Sequence, residues 1–309
     1  MKKRVLSLLL ALVMVLSLLP VTALAVGGHD GQVRVRVENT TWAKADGAPW
    51  EGTLVDEWVT LKDDSTMMSC VKDALEKNHY SYETASSTYG GEYLGEVNGL
   101  AEMDGGAQSG WMGTLNDWFT NASFSAFNTK DGTLAAGDEI RVLYTKTGYG
   151  ADIGGDWSTQ SNTALAALSF SSGTLSPAFN KDTLEYTLTL AEPGDVCVAV
   201  TAANKCNQVY LSVGETSYRR SAAIPMEDGT VLTLRCGDAA EATEYNDAVV
   251  PTTYTVTVKA GPRIPKADVT VRSQAAGAYL HGIETVQVTG NLAESYGFTD
   301  SVEGVSALD

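Results

Sequence analysis

Alternation of apolar and polar residues with a period of two runs through most of this chain, and it dictates a fold built mainly from short strands. Val33-Arg34-Val35-Arg36-Val37 sets the style. Ile140, Val142 and Tyr144 repeat it, as do Val196 to Val200, Tyr210 to Val213, Val231 to Leu234 and Tyr254 to Val258. Such alternation places one face of each strand against a core and leaves the other to solvent. Helical spacing occurs at one useful place, where Met67, Val71, Ala74 and Leu75 recur up to about Lys77. Asp63-Asp64-Ser65 precede that stripe and supply helix-starting caps.

The N-terminus is of a different kind. Lys2, Lys3 and Arg4 precede an almost wholly apolar run from Val5 to Leu19, followed by Pro20 and Ala23-Leu24-Ala25. A positive start, an apolar run and a small-x-small site define an export signal over residues 1–25. The run is 15 residues long, short of the roughly 20 that span a bilayer. Removing the signal leaves 18 basic against 38 acidic residues, a net charge of −20. So acidic a surface repels phosphate backbones and anionic membranes. Neither nucleic acid nor membrane insertion after signal cleavage is expected.

The strand pattern divides into two modules. Residues 32–146 carry a strand pair, the one helix and further strands, with turns at Asn98-Gly99 and Gly137-Asp138. Residues 147–162, rich in Gly, Asp, Ser and Thr, read as a linker. Residues 163–260 show short strands every ten or so residues without a helix, the signature of a β-sandwich. Residues 261–309 open on Gly261-Pro262 and then repeat the first module's style at Asp268-Val269-Thr270-Val271-Arg272, which reads as a second, truncated copy of it.

Two resemblances attach to these segments. The helix around Val71 to Leu75, Val97-Asn98-Gly99, Gly110-Trp111-Met112 with Asn116, and Gly137-Asp138-Glu139-Ile140 make the first module similar to domain-of-unknown-function family 4430, relatives of the transcobalamin and intrinsic factor C-terminal domain. That resemblance implies a β-grasp, ligand-binding type of fold on bacterial surface proteins. Leu165, Leu168, Gly173, Leu175, Pro177, Phe179, Tyr186 and the Tyr254 to Val258 strand make the second module similar to bacterial cadherin-like sandwiches. That implies a spacer or adhesion fold. The acidic motifs with which true cadherins bind calcium do not occur. The expected class is therefore a multidomain chain, an α+β β-grasp-like module followed by an all-β immunoglobulin- or cadherin-like sandwich.

Catalysis has little footing. His29, His79 and His281 are the only histidines and lie far apart. No GxSxG, HExxH, P-loop or Cys–His motif occurs. Cys70, Cys197, Cys206 and Cys236 are split one to three between the modules, contain no CxxC and leave their pairing open. No catalytic residue, metal or cofactor is expected. The residues proposed to touch a ligand are Trp111, Asn116, Trp118 and Tyr144. Trp111 reads first as a core or strand-edge residue, since alternate positions of a half-buried strand need bulky apolar groups, whereas Asn116-Asp117-Trp118-Phe119 reads as an exposed loop. The functional expectation is a secreted or cell-surface modular protein whose domains bind and space, with an unknown glycan, protein or corrinoid as ligand. The alternative is a corrinoid-type small-ligand carrier using the first module. A ligand site predicts Trp118, Tyr144 and Tyr149 exposed around one concavity; a spacer predicts them buried or scattered.

Overall fold

The computed structural model describes residues 30–86, 91–238 and 249–263, together with the backbone of 266–270 and 285–289. The export signal, His29, His281 and the segment after residue 289 lie outside the described residues. The fold is mostly β, with several sheets and few helices.

The first sheet orders its strands β2-β1-β8-β6-β7, where β1 is Gln32–Asn39, β2 Gly52–Thr60, β6 Gly110–Leu115, β7 Trp118–Phe119 and β8 Glu139–Thr145. β1 runs antiparallel to β2 and parallel to β8, pairing Arg34 with Glu139 and Glu38 with Leu143. Val33, Val35 and Val37 are fully buried, as the alternation requires. Arg34 and Arg36 occupy the other face, where Arg34 binds Asp56 through two hydrogen bonds of 2.7 and 2.8 Å. Helix α1 (Met67–Lys77) covers the valine face with Met67, Val71, Ala74 and Leu75. A second sheet, β3 (Tyr82–Ser86), β4 (Glu92–Val97) and β5 (Leu100–Ala101), adds Leu94, Val97 and Leu100 to the same core.

The helix starts one residue later than its acidic lead-in suggests. Thr66 is the N-cap: its hydroxyl accepts from the Ser69 amide (3.0 Å), and Ser69 Oγ accepts from the Thr66 amide (2.9 Å). This reciprocal box satisfies two helix-end donors at once. Ser65 accepts from the Lys62 amide instead, closing the preceding turn.

Cys70 is buried against the sheet, and burial pushes its thiol up to about 11. Burial also raises the half-buried Cys197. Thiolate is the reactive species, so in the folded chain at pH 8 iodoacetamide is expected to label Cys197 well before Cys70. Peptide mass mapping after a timed pulse measures this. Equal labelling would mean that α1 leaves the sheet readily.

Residues 165–260 form two facing sheets. One orders β10 (Thr174–Ser176), β11 (Glu185–Leu190), β17 (Thr252–Ala260), β16 (Val231–Cys236), β13 (Val209–Val213) and β14 (Thr216–Tyr218); the other orders β15 (Ala223–Met226), β12 (Gly194–Ala202) and β9 (Leu165–Phe170). Inward residues of both sheets share one core, among them Val196, Val198, Leu188, Leu234 and Tyr254. The Tyr254 hydroxyl accepts from the Leu165 amide and donates to the Lys181 carbonyl, both at 3.0 Å, so it ties β9 to β17. Phe179 stacks on Tyr186 at 6.0 Å, and the Tyr186 hydroxyl donates to the Asn180 carbonyl at 2.6 Å. The motif residues Phe179 and Tyr186 thus form a structural corner. Beyond residue 263, β18 (Lys266–Thr270) and β19 (Thr285–Thr289) make an antiparallel hairpin.

The composition of residues 147–162 predicts a linker; in the structure they fold back on both neighbours. Asp152 accepts from the Lys146 and Thr147 amides and from Thr145 Oγ1, which holds the chain in tight turns over Gly148–Ile153, kinked where Tyr149 and Gly150 take positive φ. Gly155 then passes directly beside the Phe119 ring, where any side chain would collide.

Candidate functional site

The four candidates divide into two pairs. Trp111 and Tyr144 belong to the first core. Trp111 stacks on Trp50 at 5.7 Å, meets the edge of Tyr144 at 5.2 Å, and donates from Nε1 to the Leu100 carbonyl at 3.0 Å. Tyr144 is wholly buried; its hydroxyl accepts from the Gly105 amide (3.0 Å) and donates to the Ala101 carbonyl (3.1 Å). Both rings have their polar atoms satisfied internally, as buried aromatics require. Tyr149 is 61% exposed and stands apart from them.

Asn116 and Trp118 lie at the contact between the two halves of the chain. Asn116-Asp117 is a two-residue hairpin turn between β6 and β7, with φ of 52° and 65° at its two residues. Positive φ at both central positions is what a tight hairpin of this twist needs, and Asn and Asp tolerate it. The Asn116 amide group bonds both ways across the sheet, donating to Asp138 (2.9 Å) and accepting from the Glu139 amide (3.0 Å). Trp118 is not the exposed loop residue that the sequence predicts. It is 8% exposed because the second half covers it, and its Nε1 donates to the Cys206 carbonyl at 3.2 Å.

The joint is broad. Phe119, Leu143 and Cys206 form a small buried cluster against Met112, Ile153 and Trp157. The Phe119 amide donates to the Lys205 carbonyl at 2.8 Å. Asn204 anchors the 147–162 segment by donating to the Asp156 carbonyl and accepting from its amide. A chain of charges crosses the joint: Glu38 meets Arg141 at 2.7 Å, Arg141 meets Asp117 at 3.7 Å, and Asp117 meets Lys205 at 2.7 Å. Burial pulls the Arg141 guanidinium down, but Glu38, Glu139 and Asp117 together outweigh it and leave the group more basic than usual.

Asp138 is the centre of the joint. Its side chain is fully buried and accepts from Asn116, the Ala135 amide (2.8 Å), Arg219 Nη1 (2.8 Å) and Ser221 Oγ (3.2 Å). The sequence marks Asp138 only as a turn residue. In the fold it fastens β8 to the β14–β15 connection of the other half.

Beside the joint lies a cleft of about 630 Å³. Leu115, Asn116, Trp118, Phe127 and Thr133 line one wall; Tyr210, Tyr218, Arg219, Arg220 and Arg235 line much of the other. Asn116 and Trp118 are thus the two candidates that line this cleft, and Trp111 and Tyr144 are not part of its lining. Sequence reasoning missed the far wall. Its one local signal is the adjacent pair Arg219-Arg220 within a strongly acidic chain.

Among the described residues, no group of three or more His, Cys, Asp or Glu side chains is placed to hold a metal ion. No helix there is long and apolar enough to cross a membrane. No family model matches the chain, and no curated protein matches it.

Proposed function

We propose that this chain is an exported, cell-surface-associated modular protein without catalytic activity, whose two modules act as one rigid unit that binds at the cleft between them. The carrying observation is the joint: Asp138, Trp118 and Phe119 of one half are held by Arg219, Cys206 and Lys205 of the other. A cleft between firmly docked units is pre-formed, and interfaces between domains are common places for ligand sites. The order β2-β1-β8 with a parallel β1–β8 pair and α1 across it supports reading the first module as β-grasp-like. The second module's facing sheets support the cadherin-like reading. The N-terminal signal motif supports export.

A pure spacer is the second reading, favoured by the full burial of Tyr144, the packing of the half-buried Trp111 against the first core, and the exposed Tyr149 lying outside the cleft lining. Thermal-shift measurements on the secreted chain with glycans, peptides and cobalamin separate the two. A binder gives a shift that Tyr218→Ala abolishes. A shift that survives in Tyr218→Ala places the site elsewhere, and no shift with any ligand leaves the spacer.

A further inference from the structure

We propose that the cleft takes a short acidic oligosaccharide, with a uronate carboxylate held on the arginine wall. This rests on the reading of the docked modules as a binding unit and adds the chemistry of the ligand.

Three arginines stand on the far wall of the cleft. Arg219 is matched by Asp138 at 2.8 Å and Arg235 by Asp238 at 3.0 Å. Arg220 differs. Its two Nη atoms donate to the main-chain carbonyls of Asn116 and Val200, and its Nε is buried without a partner. Among the described residues it forms no ion pair, and Asp117 and Glu139 act on it only from a distance. A guanidinium stays protonated under all ordinary conditions. A buried cation is normally paired, because desolvation is costly without a counter-charge. Arg220 lines the cleft beside Arg219 and Arg235, so an anion bound there meets three guanidinium charges of which the described acids match two. The setting sharpens the point, since this excess of positive charge sits in a chain of net charge −20 without its signal.

The rest of the lining selects the kind of anion. Trp118 and Phe127, edge to face at 5.9 Å, stand on one wall, with Tyr210 and Tyr218 on the other. Tyr218 offers an amphipathic ring of the kind that covers the C–H face of a sugar and keeps a polar tip for its hydroxyls, while the largely covered Trp118 and Phe127 supply apolar wall. Ser212, Ser217 and Thr233 interrupt the apolar surface, which suits a hydroxyl-rich ligand and spoils the wall for an acyl chain. A long polyanion is repelled by the surrounding acidic surface; a few carboxylates at one arginine cluster are not. The volume lies within the roughly 300–1,000 Å³ usual for small-ligand sites.

Isothermal titration calorimetry of the full secreted chain tests this, using trisaccharides of galacturonate, mannuronate and glucuronate beside their neutral counterparts. At least one uronate is expected to bind, with no neutral counterpart approaching it. Arg220→Gln is expected to weaken that binding by at least about tenfold, the size of a charged hydrogen bond. Arg220 also holds main chain, so Arg235→Gln, whose side chain is 41% exposed, serves as the second variant with an expected loss of about threefold or more. Circular dichroism of each variant checks folding. Neutral sugars binding as well as uronates would overturn the acidic assignment and leave the cleft reading intact. Uronate binding untouched by Arg235→Gln and Tyr218→Ala would overturn both, whereas the absence of binding by every saccharide would overturn the acidic-sugar assignment and leave the cleft reading to the peptide and cobalamin measurements.

Discussion

Asp138→Ala is expected to lower the unfolding free energy by about 3–5 kcal/mol, the usual cost of stranding one partner of a buried ion pair. The carboxylate is fully buried and has four donors. Its removal leaves the Arg219 guanidinium without its 2.8 Å counter-charge and frees Asn116 from its cross-sheet bond. The loss falls on the joint rather than on either core, because the two large apolar clusters share no residue. The expected calorimetric trace therefore changes shape as well as position, from one transition to two. At about 2–4 °C per kcal/mol for chains of this size, the shift is well within reach of differential scanning calorimetry. Asp138→Asn keeps the volume and two of the acceptor contacts, and is expected to fall between wild type and alanine. A single transition within about a degree of wild type for Asp138→Ala would show that the joint is held elsewhere.

Trp111→Ala is expected to cost about 3–5 kcal/mol as a large-to-small change among packed rings. It removes the stack on Trp50 and the edge contact on Tyr144, and it leaves the Leu100 carbonyl without its indole donor. Trp111→Phe retains most of the ring contact and loses that hydrogen bond, worth roughly 1 kcal/mol. Urea unfolding followed by circular dichroism measures both, with the midpoint moving while the slope stays constant. Binding at the cleft, measured well below the unfolding midpoint, is expected to be unchanged in either variant. Wild-type stability together with lost binding would return Trp111 to the ligand site.

Local pattern reveals some of this molecule and hides the rest. Val33, Val35 and Val37, or Tyr254, Val256 and Val258, are legible as strand faces because burial on one side of a sheet writes itself as a period of two. α1 is legible for the same reason at its own period, and only its cap moves, because Thr66 and Ser69 bond each other while the acids before them do not cap. Trp118 is not legible. Asn116-Asp117 announces a turn, but nothing local says that residues 203–208 cover Trp118 and Phe119. Residues 147–162 mislead in the same way: composition reveals the turns at Gly148, Gly150 and Gly154, not what those turns are fastened to. The cleft's far wall combines residues near 210, 219 and 235 with a first wall near 116 and 127. That convergence is a property of the joint, and no window of sequence contains it.

The parallel pairing of β1 with β8 has a mechanical meaning. β1 is the first strand of its sheet and β8 the last, and they lie side by side through five matched positions from Arg34–Glu139 to Glu38–Leu143. A pull on the two ends of that module acts along the strands, so the rungs between them share the load and must yield together. β11 and β17 also pair in parallel, over six positions, but β9 and β10 precede β11, so the ends of the sandwich do not both lie on that pair. Tension across the first module therefore meets a clamp loaded in shear, its rungs yielding together rather than one at a time.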